Sequence, residues 1–161
     1  MGPGYAEWFC YNSLIKKVVI YPGVTRIGIN LFRELAFLET VEWGTVKQIS
    51  SCSFVGTGLT VIELPEGLEI VEQSAFTYNQ NLEEIIFPES VYMIGRDFYN
   101  CPNLKRFVVK GSPEFELGSE DLGYFGNDDG TTVNVTVYGR PDSSSQLLAL
   151  DEGVPFVALE E

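Results

Sequence analysis

Large apolar side chains recur along this chain every 21 to 23 residues. The repeat begins at five positions: Ile15, Leu38, Leu59, Leu82 and Leu104. Each start opens a stretch of the form L-x-x-I-x-L, in which apolar and polar positions alternate as in a short strand with one buried face. In each of the first four repeats a phenylalanine follows, at positions 32, 54, 76 and 98. Because a unit of this length cannot bury its own apolar face, the pattern predicts coils that stack on one another.

A period of this length with an L-x-x-L-x-L core is typical of leucine-rich-repeat solenoids. We therefore predict such a solenoid, a right-handed superhelix that is rich in β-structure and has few short helices. The strands of successive coils should form a parallel sheet on one side, and the phenylalanines a stacked aromatic column on the far side of the core. The repeat that starts at Leu38 is the shortest, and we expect its coil to tighten or bulge. Trp43, at an inward position of that repeat, is predicted to be a core residue.

The whole chain is expected to form one domain, because 161 residues with 45% apolar content can bury a sizeable core. Four segments are predicted, namely a partial repeat at 5–14, about four and a half repeats at 15–110, a loop or insertion at 111–130, and a C-terminal cap with a helix and a strand at 131–161. No polar capping unit precedes the first repeat. We therefore expect further N-terminal repeats, or a homodimer, to cover the front edge.

Charge narrows the set of partners. The net charge of −13 and the sequence pI near 4.3 argue against nucleic acid, which needs basic patches, and against insertion into or binding to an anionic membrane. No apolar stretch is long enough for a transmembrane helix. The first residues lack the features of a signal peptide, so the sequence fits either a cytoplasmic protein or a piece of a longer secreted one.

Catalytic chemistry has little support in the sequence. The chain contains no histidine, which removes histidine-based triads, proton shuttles and metal sites. Adjacent acids such as Glu83 and Glu84 would point to opposite faces if both lay within a strand, whereas a glycosidase needs two facing carboxylates. The turn at 127–130 offers oxygen ligands but lacks the spaced calcium pattern. Three cysteines (Cys10, Cys52 and Cys101) fall at different offsets in the repeat, so we expect no disulfide or metal set. We predict no enzyme activity, cofactor or metal.

The repeats resemble the BspA-like leucine-rich repeats of bacterial surface proteins. That family's unit has the form L-x-x-V-x-I-P-x-x-V-x-x-I-G-x-x-A-F-x-x-C-x-x-L. The stretch at 82–104 matches it nearly throughout, with one residue missing before Phe98, whereas Val71-Glu72 replaces the usual Ile-Gly in the preceding repeat. The tail, with Val137-Tyr138-Gly139 before a helix, is similar to the family's terminal cap.

This resemblance implies a non-enzymatic module that binds proteins, matrix or glycans. It also implies an extracellular or cell-surface location and an adhesin-like role toward a host matrix protein or a bacterial surface protein. The alternative is a structural spacer or an intracellular scaffold repeat without its own ligand. Fold alone does not decide between these functions.

The outward positions of the predicted strands form the candidate partner-binding face. The middle of this face is acidic, and basic pairs lie at both ends. Its acidic members are Glu39, Glu42, Glu63, Glu83 and Glu84, and its basic members are Lys16, Lys17, Lys105 and Arg106. A basic or mixed partner surface would complement the acidic ladder. The alternative is that outward strand positions are simply polar, with opposite charges on neighbouring strands.

Overall fold

The computed structural model describes residues 10–115 and 124–160. These residues contain twelve short strands and one helix. In chain order they are β1 (Lys17–Val19), β2 (Arg26–Ile27), β3 (Thr40–Glu42), β4 (Gln48–Ile49), β5 (Val61–Glu63), β6 (Ile70–Val71), β7 (Glu84–Phe87), β8 (Met93–Ile94), β9 (Arg106–Val109), β10 (Glu114–Phe115), β11 (Thr136–Gly139), α1 (Ser144–Asp151) and β12 (Phe156–Ala158).

Each coil contributes one strand to each of two sides of a solenoid. On the first side, β1 pairs with β3, and β5, β7, β9, β11 and β12 form a second ladder. On the other side, β2, β4, β6, β8 and β10 form one unbroken sheet. Every pairing between these strands is parallel. The predicted solenoid is confirmed, but the expectation of a sheet on one side only was incomplete, because the second extended piece of each coil also pairs with its neighbours.

The predicted aromatic column is present in the core. The ring centroids of Phe32 and Phe54 lie 5.2 Å apart, those of Phe54 and Phe76 5.5 Å apart, and those of Phe76 and Phe98 6.0 Å apart. The last two pairs are stacked nearly parallel. Phe54, Phe76 and Phe98 are fully buried. The column therefore ties each coil to the next through contacts between identical side chains.

The segment predicted as a loop at 111–130 contains the second half of a fifth coil. Strand β10 pairs with β8 and extends the second sheet. Phe125 is fully buried and packs edge-on against Phe107 at 5.3 Å. The amide of Asn100 donates to the carbonyl of Gly126 just as that of Tyr78 donates to Tyr99, which places Phe125 at the column position of Phe98. The stretch predicted as a loop therefore includes a strand of the second sheet and a residue of the column, and the segment boundaries stay a prediction.

The C-terminal cap has the predicted order of strand, helix and strand. Strand β11 pairs with both β9 and β12, so the cap continues the first side of the solenoid. Helix α1 buries Leu148 and Ala149. A Cβ at Gly139 would collide with the hydroxyl of Ser145, so the absence of a side chain lets the helix approach the strand closely. Most of the partial repeat predicted at 5–14 lies outside the described residues, and coverage of the front edge stays a prediction.

Glu72 joins three coils on the second side of the solenoid. Its carboxylate accepts hydrogen bonds from the amide of Ser51 at 2.9 Å, from Arg26 at 3.2 Å and from the side-chain amide of Gln48. Partial burial disfavours the charged form, but the hydrogen bonds from Ser51 and Gln48 and the charge of Arg26 prevail. Together they hold the pKa of Glu72 below its usual value.

We expect Glu72→Gln to reduce stability at neutral pH and to reduce it less in acid. A carboxyl whose pKa is lowered by folding stabilises the fold above its unfolded pKa of about 4.3 and loses this effect as pH falls through the folded value. Urea unfolding at pH 7 and at about pH 3 checks this. Glu114→Gln, at an exposed position of the same sheet, is the control. A gap between Glu72→Gln and wild type that stays constant with pH would contradict the linkage.

Candidate functional site

The outward strand positions of the first side fall into register as the sequence predicts. Lys17 lies opposite Thr40, and Glu42 lies opposite Val19. Glu84 stands between Val61 and Arg106 on the neighbouring strands. All nine predicted partner-binding residues therefore lie on or next to the strands of this side, and we call it the ladder face.

Cross-strand ion pairs join eight of these nine residues. Lys16 pairs with Glu39 at 2.8 Å, and Lys17 pairs with Glu42. Lys105 pairs with Glu83 at 3.1 Å and Arg106 with Glu84 at 2.8 Å, and the guanidinium of Arg106 also lies 4.2 Å from the ring centre of Tyr138. Exposed pairs of this kind contribute little to stability, about 0 to 1 kcal/mol each. The ion pairs of the ladder face therefore add little to the stability of the fold.

Glu63 differs from the other acidic residues of the ladder face. It is exposed, and in the part of the chain that the structure describes it has no ion-pair partner. The predicted acidic ladder is therefore neutralised at both of its ends, and Glu63 is the member of the set whose charge is not balanced by a neighbour. Partner binding by these nine residues stays a prediction.

The ladder face is interrupted between the second and third coils. Within residues 10–115, no backbone ladder joins β3 to β5, although the opposite strands β4 and β6 of the same two coils pair normally. The coils meet again on either side of the gap. The amide of Gly58 donates to the carbonyl of Leu35 at 3.1 Å, and that of Glu69 donates to Lys47 at 2.8 Å. The predicted outward columns are therefore split in two at this point.

Two shortened connections explain the interruption. The chain runs five residues from Phe54 to Leu59, where the other coils have six between corresponding positions, and the turn after Trp43 is also one residue shorter than its equivalents. Glycine lies in each shortened connection. A Cβ at Gly44 would collide with the carbonyl of Ile20, and a Cβ at Gly58 with that of Ala36. Gly44, with φ of +59°, thus holds the end of β3 against the first coil and away from the third.

A groove with a volume of about 320 Å³ occupies the gap between β3 and β5. Its wall residues include the apolar side chains of Val41, Trp43 and Val61 and the acidic side chains of Glu39 and Glu63. Trp43 is only half buried, and its ring contacts Phe54 edge-on at 5.3 Å. The prediction of Trp43 as a core residue is therefore only partly right, because one side of the ring faces the core and the other lines the groove.

Sequence reasoning missed Val41 and Val61 as candidate functional residues. The signal that pointed to them was the short spacing between Leu38 and Leu59, which predicted an irregular coil. The spacing alone could not show that the irregularity opens the ladder on one side of the solenoid and leaves it closed on the other. That outcome depends on where the two deleted residues fall relative to the strands.

A second pocket lies on the C-terminal cap. It has a volume of about 440 Å³ and is lined mainly by apolar residues of α1 and β12, including Leu147, Leu150 and Phe156. Leu147 and Leu150 are 62% and 76% exposed. The described helix is eight residues long and could not cross a membrane.

The remaining reactive groups lie apart from one another. Cys10 is exposed, Cys52 is partly buried and Cys101 is buried, and all three are free thiols. Burial raises the pKa of Cys101 to about 12, so this thiol stays protonated at neutral pH. Within residues 10–115 and 124–160, no group of three or more acidic or cysteine side chains could hold a metal ion.

The acidic turn considered for calcium uses its oxygens within the fold. Asp128 accepts hydrogen bonds from the hydroxyl of Tyr78 at 3.1 Å and from the side-chain amide of Asn100 at 2.9 Å. Asp129 accepts from the amide of Thr131 at 3.0 Å. These contacts anchor the turn to the preceding coils, which is the ordinary role of aspartate at such positions.

The chain is similar to known repeat proteins. The family model described as "BspA type Leucine rich repeat region" matches residues 5–116 in six copies. A search of curated proteins found no match. Among solved structures, a leucine-rich repeat protein from Bacteroides ovatus ATCC 8483 is 16% identical with a TM-score of 0.45, over 89% of this chain and 51% of that one. This chain therefore spans about half the length of that protein.

Proposed function

Because the chain belongs to the BspA-type leucine-rich repeat family, we propose that it is a non-enzymatic module that binds a protein partner through the ladder face. The observation that carries this proposal is the exposed row of charged strand residues on one side of the solenoid. A row of this kind offers a partner several contacts at fixed spacing. The fold supports the proposal because solenoids of this type commonly serve as binding scaffolds.

We also propose that the module acts outside the cell or at the cell surface, with an adhesin-like role. The family is often associated with bacterial surfaces, and this supports the location. A host matrix protein or another bacterial surface protein is the partner class that fits it. The alternative, a structural spacer or an intracellular scaffold repeat without its own ligand, predicts that the domain binds no partner of these classes.

A binding array tests the proposal. The purified domain should bind one or more members of an array of extracellular-matrix proteins, bacterial surface proteins and glycans. The double variant Glu83→Lys/Glu84→Lys should weaken that binding at least about fivefold in about 0.1 M salt, mainly through slower association. The loss should shrink in 1 M salt, where the Debye length falls from about 10 Å to about 3 Å. Surface plasmon resonance measures both rates.

The matched control makes the same charge change on the opposite side. Glu69 precedes β6 and Glu114 lies in β10, and both of these strands belong to the second sheet. The variant Glu69→Lys/Glu114→Lys should bind as wild type does. Equal losses for the two double variants would point to net charge alone and would contradict a role for the ladder face. Absence of binding to every array member would contradict the proposed function.

A further inference from the structure

We propose that the groove between β3 and β5 binds an extended peptide segment of another protein that carries lysine or arginine next to apolar side chains. The segment adds as a strand to the open edge of β5, in the manner of β-strand addition. This inference rests on the proposed function and names the chemistry of the partner and the place where it docks.

The open edge of β5 presents backbone groups that have no ladder partner. On either side of β5, the carbonyl of Thr60 accepts from Glu84, and the amide of Leu64 donates to Ile86, so the even-numbered residues of this stretch face β7. Backbone groups alternate sides along a strand, so those of Val61 and Glu63 face β3 across the gap.

The edge of β3 mirrors this arrangement. Thr40 donates to the carbonyl of Lys16, and the carbonyl of Glu42 accepts from Ile20, so both residues face β1. The backbone groups of Val41 therefore face the groove. An unpaired N–H and C=O on each side is the feature that an added strand satisfies, and its main-chain hydrogen bonds supply affinity that does not depend on sequence.

The side chains around the groove decide which peptide fits. Val61 is 53% exposed, and the half-buried Trp43 adds an apolar surface deeper in the groove. Glu63 stands at the rim without an ion-pair partner among the described residues, and Glu39 at the same rim already pairs with Lys16. An apolar residue facing the groove and a cation beside Glu63 therefore complement the site, and the net charge of −13 favours approach of a basic segment.

Three blocked peptides of about five residues, enough to cover β5 with one residue more at each end, test the inference. The first alternates valine and lysine, the second alternates valine and glutamate, and the third is the valine–lysine peptide with alternate amides N-methylated. Calorimetry and NMR titration of the full chain should show binding of the first peptide. The other two should bind at least about tenfold more weakly, because one has the wrong charge and the other lacks the backbone donors.

Amide hydrogen exchange reads out the backbone contacts directly. In the free protein the amides of Val61 and Glu63 should exchange at least about tenfold faster than that of Ile62, which pairs with β7. The valine–lysine peptide should slow exchange at Val61 and Glu63 and leave Glu114 on the opposite sheet unchanged. Protection of Val61 and Glu63 that rises with protein concentration alone would mean that a second copy of the chain fills the groove, which overturns the proposal.

Two variants separate charge from backbone recognition. Glu63→Lys should weaken the valine–lysine peptide about tenfold and strengthen the valine–glutamate peptide, whereas Glu114→Lys should change neither. Val61→Pro removes an amide that faces the groove and no ladder bond of the fold, so it should abolish peptide binding. If this variant does not fold, the exchange experiment on wild type decides in its place.

Several results would overturn the groove as a peptide site. They are the absence of binding of the valine–lysine peptide, equal binding of its N-methylated form, and unchanged affinity in Glu63→Lys. These results are distinct from failure of the proposed function. If an array member binds the domain through Glu83 and Glu84 but no peptide binds, the groove is overturned as a peptide site and the proposed function stands. Peptide binding without any array partner supports the groove and overturns the proposed partner classes.

Discussion

Phe76→Ala should destabilise the protein by about 3 to 5 kcal/mol, the range for removing a large buried aromatic side chain. Phe76 is fully buried at the centre of the aromatic column, with Phe54 stacked on one side and Phe98 on the other. Its removal leaves a cavity between three coils, and each coil of a solenoid depends on its neighbours for burial. Urea unfolding followed by circular dichroism measures the loss.

Tyr92→Ala is the matched control for this prediction. Tyr92 is an aromatic residue of the neighbouring coil but is 54% exposed, so its truncation should change the free energy of unfolding by no more than about 0.5 kcal/mol. Phe76→Leu, which fills most of the cavity, should fall between the two. A Phe76→Ala variant as stable as Tyr92→Ala would show that the column does not carry the contacts between coils.

Asn79→Leu should cost about 3 kcal/mol although leucine has a similar size and is apolar. Asn79 is fully buried, and its side-chain oxygen accepts from the amide of Thr57 at 2.8 Å. Its side-chain amide donates to the carbonyls of Phe54 at 2.9 Å and Phe76 at 2.6 Å. Leucine leaves the amide of Thr57 and the carbonyl of Phe54 buried without these partners, and each such group costs about 1 to 3 kcal/mol. Chemical denaturation gives the difference.

The next coil suggests an informative second variant. Cys101 occupies the position that corresponds to Asn79, and its thiol donates to the carbonyl of Phe76 at 3.3 Å. Asn79→Cys should therefore restore one bond, to Phe54, and lose less stability than Asn79→Leu. Asn103→Leu, which removes one exposed hydrogen bond to Gln80, should have a small effect. A smaller loss for Asn79→Leu than for Asn79→Cys would show that apolar burial outweighs hydrogen bonding here.

Both stability predictions and the groove follow from the same property of a solenoid. Neighbouring coils interact through repeated positions. Phe76, with a ring stacked on each side, therefore affects two interfaces, and Asn79 affects the interface with the preceding coil. By the same reasoning, one altered connection affects a single interface. The two shortened connections, directly after Trp43 and between Phe54 and Leu59, open the ladder between two coils and leave the other described interfaces paired.

The periodic part of the fold could be read from the sequence because it rests on local apolar positions. The strand starts, the aromatic column from Phe32 to Phe98 and the helix near Ser144 all follow from patterns within one or two repeats. The second half of the fifth coil could not be read in this way. Phe125 stands beyond an insertion, and only its packing against Phe107 and the hydrogen bond to Gly126 reveal its place in the column.

Some features of the candidate site could likewise be predicted from the sequence, and others required the tertiary structure. The sequence by itself indicated which charges face outward, because the apolar positions of each repeat mark the buried face of the coil. Only the tertiary structure decided that Lys16 and Lys17 pair with Glu39 and Glu42, that Glu63 has no such partner, and that β3 and β5 separate. These features depend on the distances between coils. Small changes in turn length and the close approach at Gly44 set those distances, and neither alters the repeat pattern.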